Sequence, residues 1–305
     1  MRLIFEHENK EGLLMAKKKS FKDRRDGIYL GELDPLHVFV PYLLPNRADN
    51  EAFISESVEM DVINEFLAKK NAENPAYKYT IFHVVAAAIA KVLYLRPKMN
   101  RYITGYRIYQ RKDISLVFVA KKLFSDDGEE ALLYIKCGAD TTIDTLHDEI
   151  CSRVSGVREH GETDNNTDVM TVLAKLPRFM LKIFISALNW LEYHDLTPDA
   201  LYKEDPYHAS VFISNLGSIK LNAAYHHLTN WGTNSLFLVI GEKHMAPRMA
   251  ADGSLSVREV LDLGITIDER IADGYYYAKT IRLFKHLLAN PELLELPANT
   301  PVVLD

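Results

Sequence analysis

Residues 267–274 read Ile267-Asp268-Glu269-Arg270-Ile271-Ala272-Asp273-Gly274, a charged segment between two apolar ones. Before it, Leu263 to Ile267 is a short apolar run with the character of a strand. After it, Tyr275 to Ala289 has helical spacing, and Pro291 just beyond is a stop signal. The octapeptide therefore joins a buried strand to a helix.

The rest of the chain extends this pattern. Glu51 to Asp61 alternates in part, as a strand does, and Val62 to Lys70 takes up helical spacing. Thr80 to Leu95 is apolar nearly all round, which predicts a central buried helix stopped by Pro97. Ile108 to Gln110, Ile114 to Ala120 and Ala131 to Lys136 read as strands, with Asp126-Asp127-Gly128 as the turn between the last two. Thr142 to Val154 reads as a helix, and Ser210 to Ser214 and Ser235 to Gly241 as further strands. Strands and helices mix without strict alternation. That order predicts an α+β fold, with helices over a mostly antiparallel or mixed sheet.

Composition narrows the function classes. With 305 residues, 48% apolar, the chain can bury a substantial core. A net charge of -6 argues against a nucleic-acid binder, which needs clustered Lys and Arg to neutralise phosphates. Cys137 and Cys151 stand apart without Cys-x-x-Cys or Cys/His metal spacing, so both are expected to be buried thiols, with no metal. The N-terminus lacks the apolar stretch of a secretory signal, and a cytoplasmic protein is expected. Lys17 to Arg25 reads as a solvated basic arm. The expected organisation is an arm over residues 1–29 and one catalytic-type domain over 30–305.

The segment Leu173 to Trp190 carries Phe179, Ile183 and Leu188 at helical spacing but is broken by Arg178, Lys182 and Asn189. A membrane span needs about 20 nearly uncharged apolar residues. An amphipathic helix opened by Pro177 is expected instead, buried or in a subunit contact. A membrane-surface helix and the wall of a ligand channel are the alternatives.

Three segments in order carry a family resemblance: Val92 to Asn100, ending Pro97-Lys98-Met99-Asn100; Ser210 to Gly217, containing Ser214-Asn215-Leu216-Gly217; and Ile267 to Gly274. Together they resemble the catalytic domain of the 2-oxoacid dehydrogenase E2 acyltransferases, over roughly residues 30–296. The family's counterparts are a helix ending in Pro-x-x-Asn, the run Thr-Ile-Ser-Asn-Leu-Gly, and His-x-x-x-Asp-Gly.

The resemblance implies a chloramphenicol acetyltransferase-like two-layer sandwich, a mixed sheet covered by helices. It also implies a homotrimer with channels between subunits, coenzyme A or acyl-CoA as substrate, and a small-molecule acyl acceptor. In that family the histidine deprotonates the accepting thiol, and a hydroxyl of the neighbouring subunit steadies the oxyanion. Carried over by position, Ser214 and Asn215 become the polar wall, Asp273 the structural carboxylate, and Glu269 falls on the base.

That exchange is chemically demanding. A CoA thiol titrates near 8.5 and an unperturbed glutamate near 4.3, a gap of about four units, or roughly 5–6 kcal/mol of proton-transfer driving force. Burial narrows such a gap. Three alternatives remain open: Glu269 as base, another base such as His226 or His227, or an inactive homologue that binds CoA or acts as a trimeric scaffold. No lipoyl domain with its lysine is read in the chain, which is therefore not expected to shuttle acyl groups by itself, and the segment Leu173 to Tyr193, followed by Asp195 to Pro206, stands where an ordinary E2 has a shorter approach, so a substrate other than dihydrolipoamide is expected. Tyr275-Tyr276-Tyr277 is expected either to line the channel or to pack on the sheet.

Overall fold

The computed structural model of the chain describes residues 3–6, 20–31, 33–121, 130–160, 173, 175–202, 205–249 and 252–304. The expected Asp126-Asp127-Gly128 turn and Lys17 to Lys19 lie outside the described residues. The strands are β1 (Leu3–Phe5), β2 (Gly27–Tyr29), β3 (Glu51–Glu59), β4 (Arg101–Thr104), β5 (Arg107–Arg111), β6 (Ile114–Lys121), β7 (Glu130–Cys137), β8 (Val211–Asn215), β9 (Leu236–Met249), β10 (Leu255–Asp268) and β11 (Val302–Leu304). The helices are α1 (Pro35–Leu43), α2 (Asp61–Ala72), α3 (Ile81–Leu95), α4 (Ile143–His160), α5 (Arg178–Tyr193), α6 (Asp199–Tyr202) and α7 (Gly274–Ala289).

Six strands form the main sheet, in the order β3-β10-β9-β8-β6-β7. β8 runs parallel to both neighbours, β6 and β9, whereas the other pairs are antiparallel. The sheet is thus mixed, as expected. β2, β5 and β4 make a second small sheet, and β1 pairs with β11.

Helix α3 organises the core. Thr80 caps it, with His83 completing the reciprocal box, and Val84, Val85, Ala88, Val92 and Leu93 are buried. Alanines at 86–88 and 90 let neighbouring elements approach closely, and α4 and α7 pack against it. At its end, Asn100 donates to the Asp113 carbonyl (3.0 Å), and Gln110 donates to the carbonyls of Pro97 (3.0 Å) and Asn100 (3.2 Å). The Pro-x-x-Asn motif therefore fastens the helix to the small sheet.

On the opposite face, residues 221–229 cross the sheet without forming a strand. Glycines make the crossing possible. A Cβ on Gly241 would lie 2.3 Å from the Ala223 nitrogen, and one on Gly264 would lie 2.1 Å from the Ala224 oxygen. Gly217 meets the Gly241 oxygen at 2.4 Å in the same way, which explains the glycine of Ser-Asn-Leu-Gly.

Three expectations are corrected. β9 and β10 are far longer than their apolar centres, because residues 242–249 and 255–259 continue as a mostly exposed ribbon whose polar positions hide the strand signal. Helix α5 is not buried within the protomer, which overturns that placement and leaves the subunit contact open: Phe179 and Ile183 are about two-thirds exposed and, among its described residues, only Glu192 is buried. No described helix is long and apolar enough to cross a membrane.

Arg24 is the third correction. It is buried rather than solvated and donates to Glu192 at 2.6 Å. Glu192 also lies 3.4 Å from His208, whose Nδ1 contacts Asp205 at 2.8 Å. Burial alone would lower the His208 pKa, but the Asp205 and Glu192 carboxylates outweigh it and raise it to about 9. Asp26 and Arg111 complete the charged surroundings, and the Tyr202 ring packs on the imidazole.

This cluster predicts a pH-dependent stability. The folded pKa lies above the unfolded value of about 6.5, so His208 contributes fully below that value, and the contribution fades as pH rises through about 9. A loss on the order of 3 kcal/mol is expected. Urea midpoints measured from pH 6.5 to 9.5 should fall in the parent and stay flatter in His208→Gln; parallel curves would refute the assignment.

Candidate active site

The octapeptide folds as a tight turn between β10 and α7. Asp268 ends the strand and is fully buried. Its carboxylate accepts from the Arg270 backbone nitrogen (3.2 Å), Nε (2.8 Å) and Nη2 (2.7 Å). Arg47 lies 3.6 Å away, and burial pulls its guanidinium down to about 10 although Asp268 opposes this. Arg270 donates onward to the Leu44 (2.7 Å) and Pro45 (3.1 Å) carbonyls, while Arg47 donates to those of Thr229 (2.7 Å) and Ile103 (3.0 Å). The charged residues flanking Glu269 are thus a buried clamp holding four chain segments.

Glu269 itself begins the 3-10 turn Glu269–Ile271. Its backbone nitrogen donates to the Asn50 carbonyl at 2.9 Å, which pins the residue, and its side chain is exposed. Asp273 is the N-cap of α7 and accepts from the Tyr276 nitrogen at 2.9 Å. That hydrogen bond, with help from Lys98, holds its carboxyl below the usual range. Asp273 therefore has a structural role in the turn. Tyr276 and Tyr277 pack inward, with Arg96 over the Tyr276 ring and the Tyr277 hydroxyl donating to the Asp268 carbonyl (3.2 Å), whereas Tyr275 is exposed.

Ser214 and Asn215 lie elsewhere, at the C-terminal end of β8, where Ser218 donates to the Asn215 carbonyl at 2.7 Å. They border a cavity of about 620 Å³ roofed by α3 and α4. By strand register, Ser214 is level with Val239 and then Gly264, five residues short of Glu269. At about 3.3 Å per residue and about 4.8 Å per strand, Ser214 and Glu269 are roughly 20 Å apart. One protomer therefore brings Glu269 and Asp273 together, and Ser214 and Asn215 together, but does not join the two pairs.

His226 and His227, the alternative base candidates, lie in the segment 221–229 that forms no strand. Both are exposed; His226 stacks on Phe237 (4.1 Å between ring centres, 9° between planes) and on His227. Neither contacts Glu269. The adjoining Leu228 nitrogen is bonded instead to the Glu51 carboxylate.

Sequence reasoning missed two constellations. The Arg47–Asp268–Arg270 clamp gave no signal, because Arg47 is more than 200 positions away from its partner. His83, His147 and Cys151 also converge beside the cavity. Their only local signal is the spacing of four between His147 and Cys151, which stacks both on one face of α4.

Residues 196–296 match the sequence model of the 2-oxoacid dehydrogenases acyltransferase (catalytic domain). The fold resembles the cubic core of the pyruvate dehydrogenase multienzyme complex, at 17% identity over 92% of this chain and 95% of that one, with a TM-score of 0.58. It also resembles a probable dihydrolipoamide acetyltransferase from Listeria monocytogenes (17% identity, 90% and 96% covered, TM-score 0.56). A third similar structure is the dihydrolipoamide acetyltransferase of Azotobacter vinelandii (17% identity, 92% and 95% covered, TM-score 0.56), studied for the role of a serine, a histidine and an asparagine in its catalytic mechanism. No curated protein matches the chain in sequence. The α+β fold is that of the E2 acyltransferase catalytic cores, and the chain resembles that family as the three motifs predict.

Proposed function

We propose that this chain, with the E2 core fold and the family's sequence over residues 196–296, is an acyltransferase that moves an acyl group between coenzyme A and a thiol, hydroxyl or amine acceptor. The observation that carries the reading is the strand–turn–helix at Ile267 to Gly274, inside the matched segment, with Asp273 capping the helix that follows the position of the base. Glu269 is assigned the base, Asp273 the fixing of the turn, and Ser214 with Asn215 the polar wall at the oxyanion.

The roughly 20 Å between the two pairs supports a homotrimer in which Glu269 of one protomer meets Ser214 of the next. That arrangement also suits the chemistry. A side chain exposed in the protomer is covered only when a neighbour packs on it, and burial is what makes a carboxylate a stronger base. Phe53, Tyr225 and Phe237 cluster on the sheet face away from the helices, and Phe53 and Tyr225 are about half exposed, an apolar surface suited to such a neighbour.

Free-thiol release from a panel of acyl-CoAs, with dihydrolipoamide, amines and alcohols as acceptors, tests the reading, alongside the mass of the particle in solution. Acceptor-dependent release from a trimer is the expected result. Saturable CoA binding with no release from any pair would favour the alternative of an inactive homologue that binds CoA or serves as a scaffold.

A further inference from the structure

Helix α5 is apolar on two sides, and the body of the protein covers one of them. Leu181, Phe184 and Leu188 are half-buried, whereas Phe179, Ile183 and Trp190, which share the other side at helical spacing, are 67%, 65% and 58% exposed. Arg178 and Lys182 flank that strip and are exposed, as is Lys175 just before the helix. The helix has one carboxylate, Glu192, which is buried and bound to Arg24. Every charge that α5 shows to solvent is therefore positive, in a chain whose net charge is -6.

Helix α1 extends the apolar surface. Its nine residues include no Lys, Arg, Asp or Glu, and Leu36, Phe39 and Leu43, spaced three and four apart, are 66%, 62% and 71% exposed. The two helices meet around the turn between β4 and β5. Tyr42 of α1 stacks on Tyr106, with ring centres 5.1 Å apart and planes at 10°, and the Tyr193 ring lies where a Cβ on Gly105 would be 3.5 Å from it. Tyr106 and Tyr193 line one cleft together with Pro41. So much exposed apolar surface marks a place where something else binds.

We propose that α5, with α1 beside it, docks the protein on the surface of an anionic lipid bilayer. Phe179, Ile183 and Trp190 enter the boundary between headgroups and acyl chains, and Arg178 and Lys182 lie against the lipid phosphates. A strip of Phe, Ile and Trp edged only by cations is the composition of a helix that lies in a membrane interface, where tryptophan also prefers the headgroup level. A second copy of the chain fits the strip less well. In a two-fold contact the same patch faces itself, and the cations of one α5 would meet those of the other with no exposed carboxylate on either helix.

Sedimentation of the full chain with lipid vesicles tests docking without acyl transfer. Vesicles of phosphatidylglycerol and phosphatidylcholine at about 50 mM salt should bind the protein saturably, and binding should be at least about tenfold weaker on phosphatidylcholine alone or at about 0.5 M salt. Arg178→Gln with Lys182→Gln should weaken it about 30-fold, roughly fivefold for each cation. Phe179→Ser with Ile183→Ser should weaken it at least about tenfold. All four positions are exposed, so the variants should fold, as circular dichroism checks. Vesicles should also shift the tryptophan fluorescence to the blue, and Trp190→Phe should abolish the shift although Trp231 remains. Three results would each overturn the proposal: a parent protein that stays in the supernatant with anionic vesicles, either double variant binding as the parent does, or a lower particle mass in Phe179→Ser with Ile183→Ser, which would make the strip a contact between copies.

Discussion

Replacing Glu269 by Gln should slow acyl transfer by about 10²–10⁴, the range by which a positioned general base accelerates proton transfer, while leaving CoA affinity unchanged. The substitution keeps size and hydrogen-bonding reach and removes only basicity. The Glu269 backbone is held by the Asn50 carbonyl and its neighbours by the Asp268–Arg270 clamp, so the turn should persist in the variant. A fall in kcat without a change in the bound fraction of CoA would identify the carboxylate as the proton acceptor. Unchanged turnover would remove Glu269 from the mechanism and move the search to other groups in the channel.

The second large effect concerns stability. Asp268→Asn should destabilise the chain by about 3–5 kcal/mol, because the buried Arg270 and Arg47 would lose their counter-charge. The shape of the side chain is retained, so packing alone predicts little change. Both arginines also hold carbonyls of residues 44–45, 103 and 229, and loosening them frees several segments at once. Denaturant midpoints of the variant and parent measure the difference. A loss under about 1 kcal/mol would mean that the carbonyl contacts, rather than the carboxylate, carry the clamp.

Much of the fold is legible in the sequence where burial and periodicity coincide. Helix α3 is apolar nearly all round because it is covered on nearly every side, and its boundaries at Thr80 and Pro97 are chemical signals. The buried centre of β10 is equally plain. Its outer half is not, because a ribbon exposed on both faces has no reason to alternate. Helix α1 was invisible for another reason: Pro41 lies inside it, where proline normally argues against a helix.

The candidate site divides along the same line. Glu269, Asp273, Ser214 and Asn215 could be found because they are fixed in short motifs. What the motifs could not convey is that strand register separates them by most of the sheet's length within one chain. Likewise, the meeting of Cys151 and its helical neighbour His147 with His83 is silent in the sequence, because His83 arrives from another helix.

With Glu269 and Ser214 at opposite ends of the sheet, the two residues of one chain would serve two different sites. In an assembly that pairs the end of β10 on one copy with the end of β8 on the next, each copy lends its neighbour half of what the neighbour needs. A copy altered only at Glu269 and a copy altered only at Ser214, each inactive alone, would then complement one another in mixed particles, because some sites would receive an intact Glu269 from one copy and an intact Ser214 from the next.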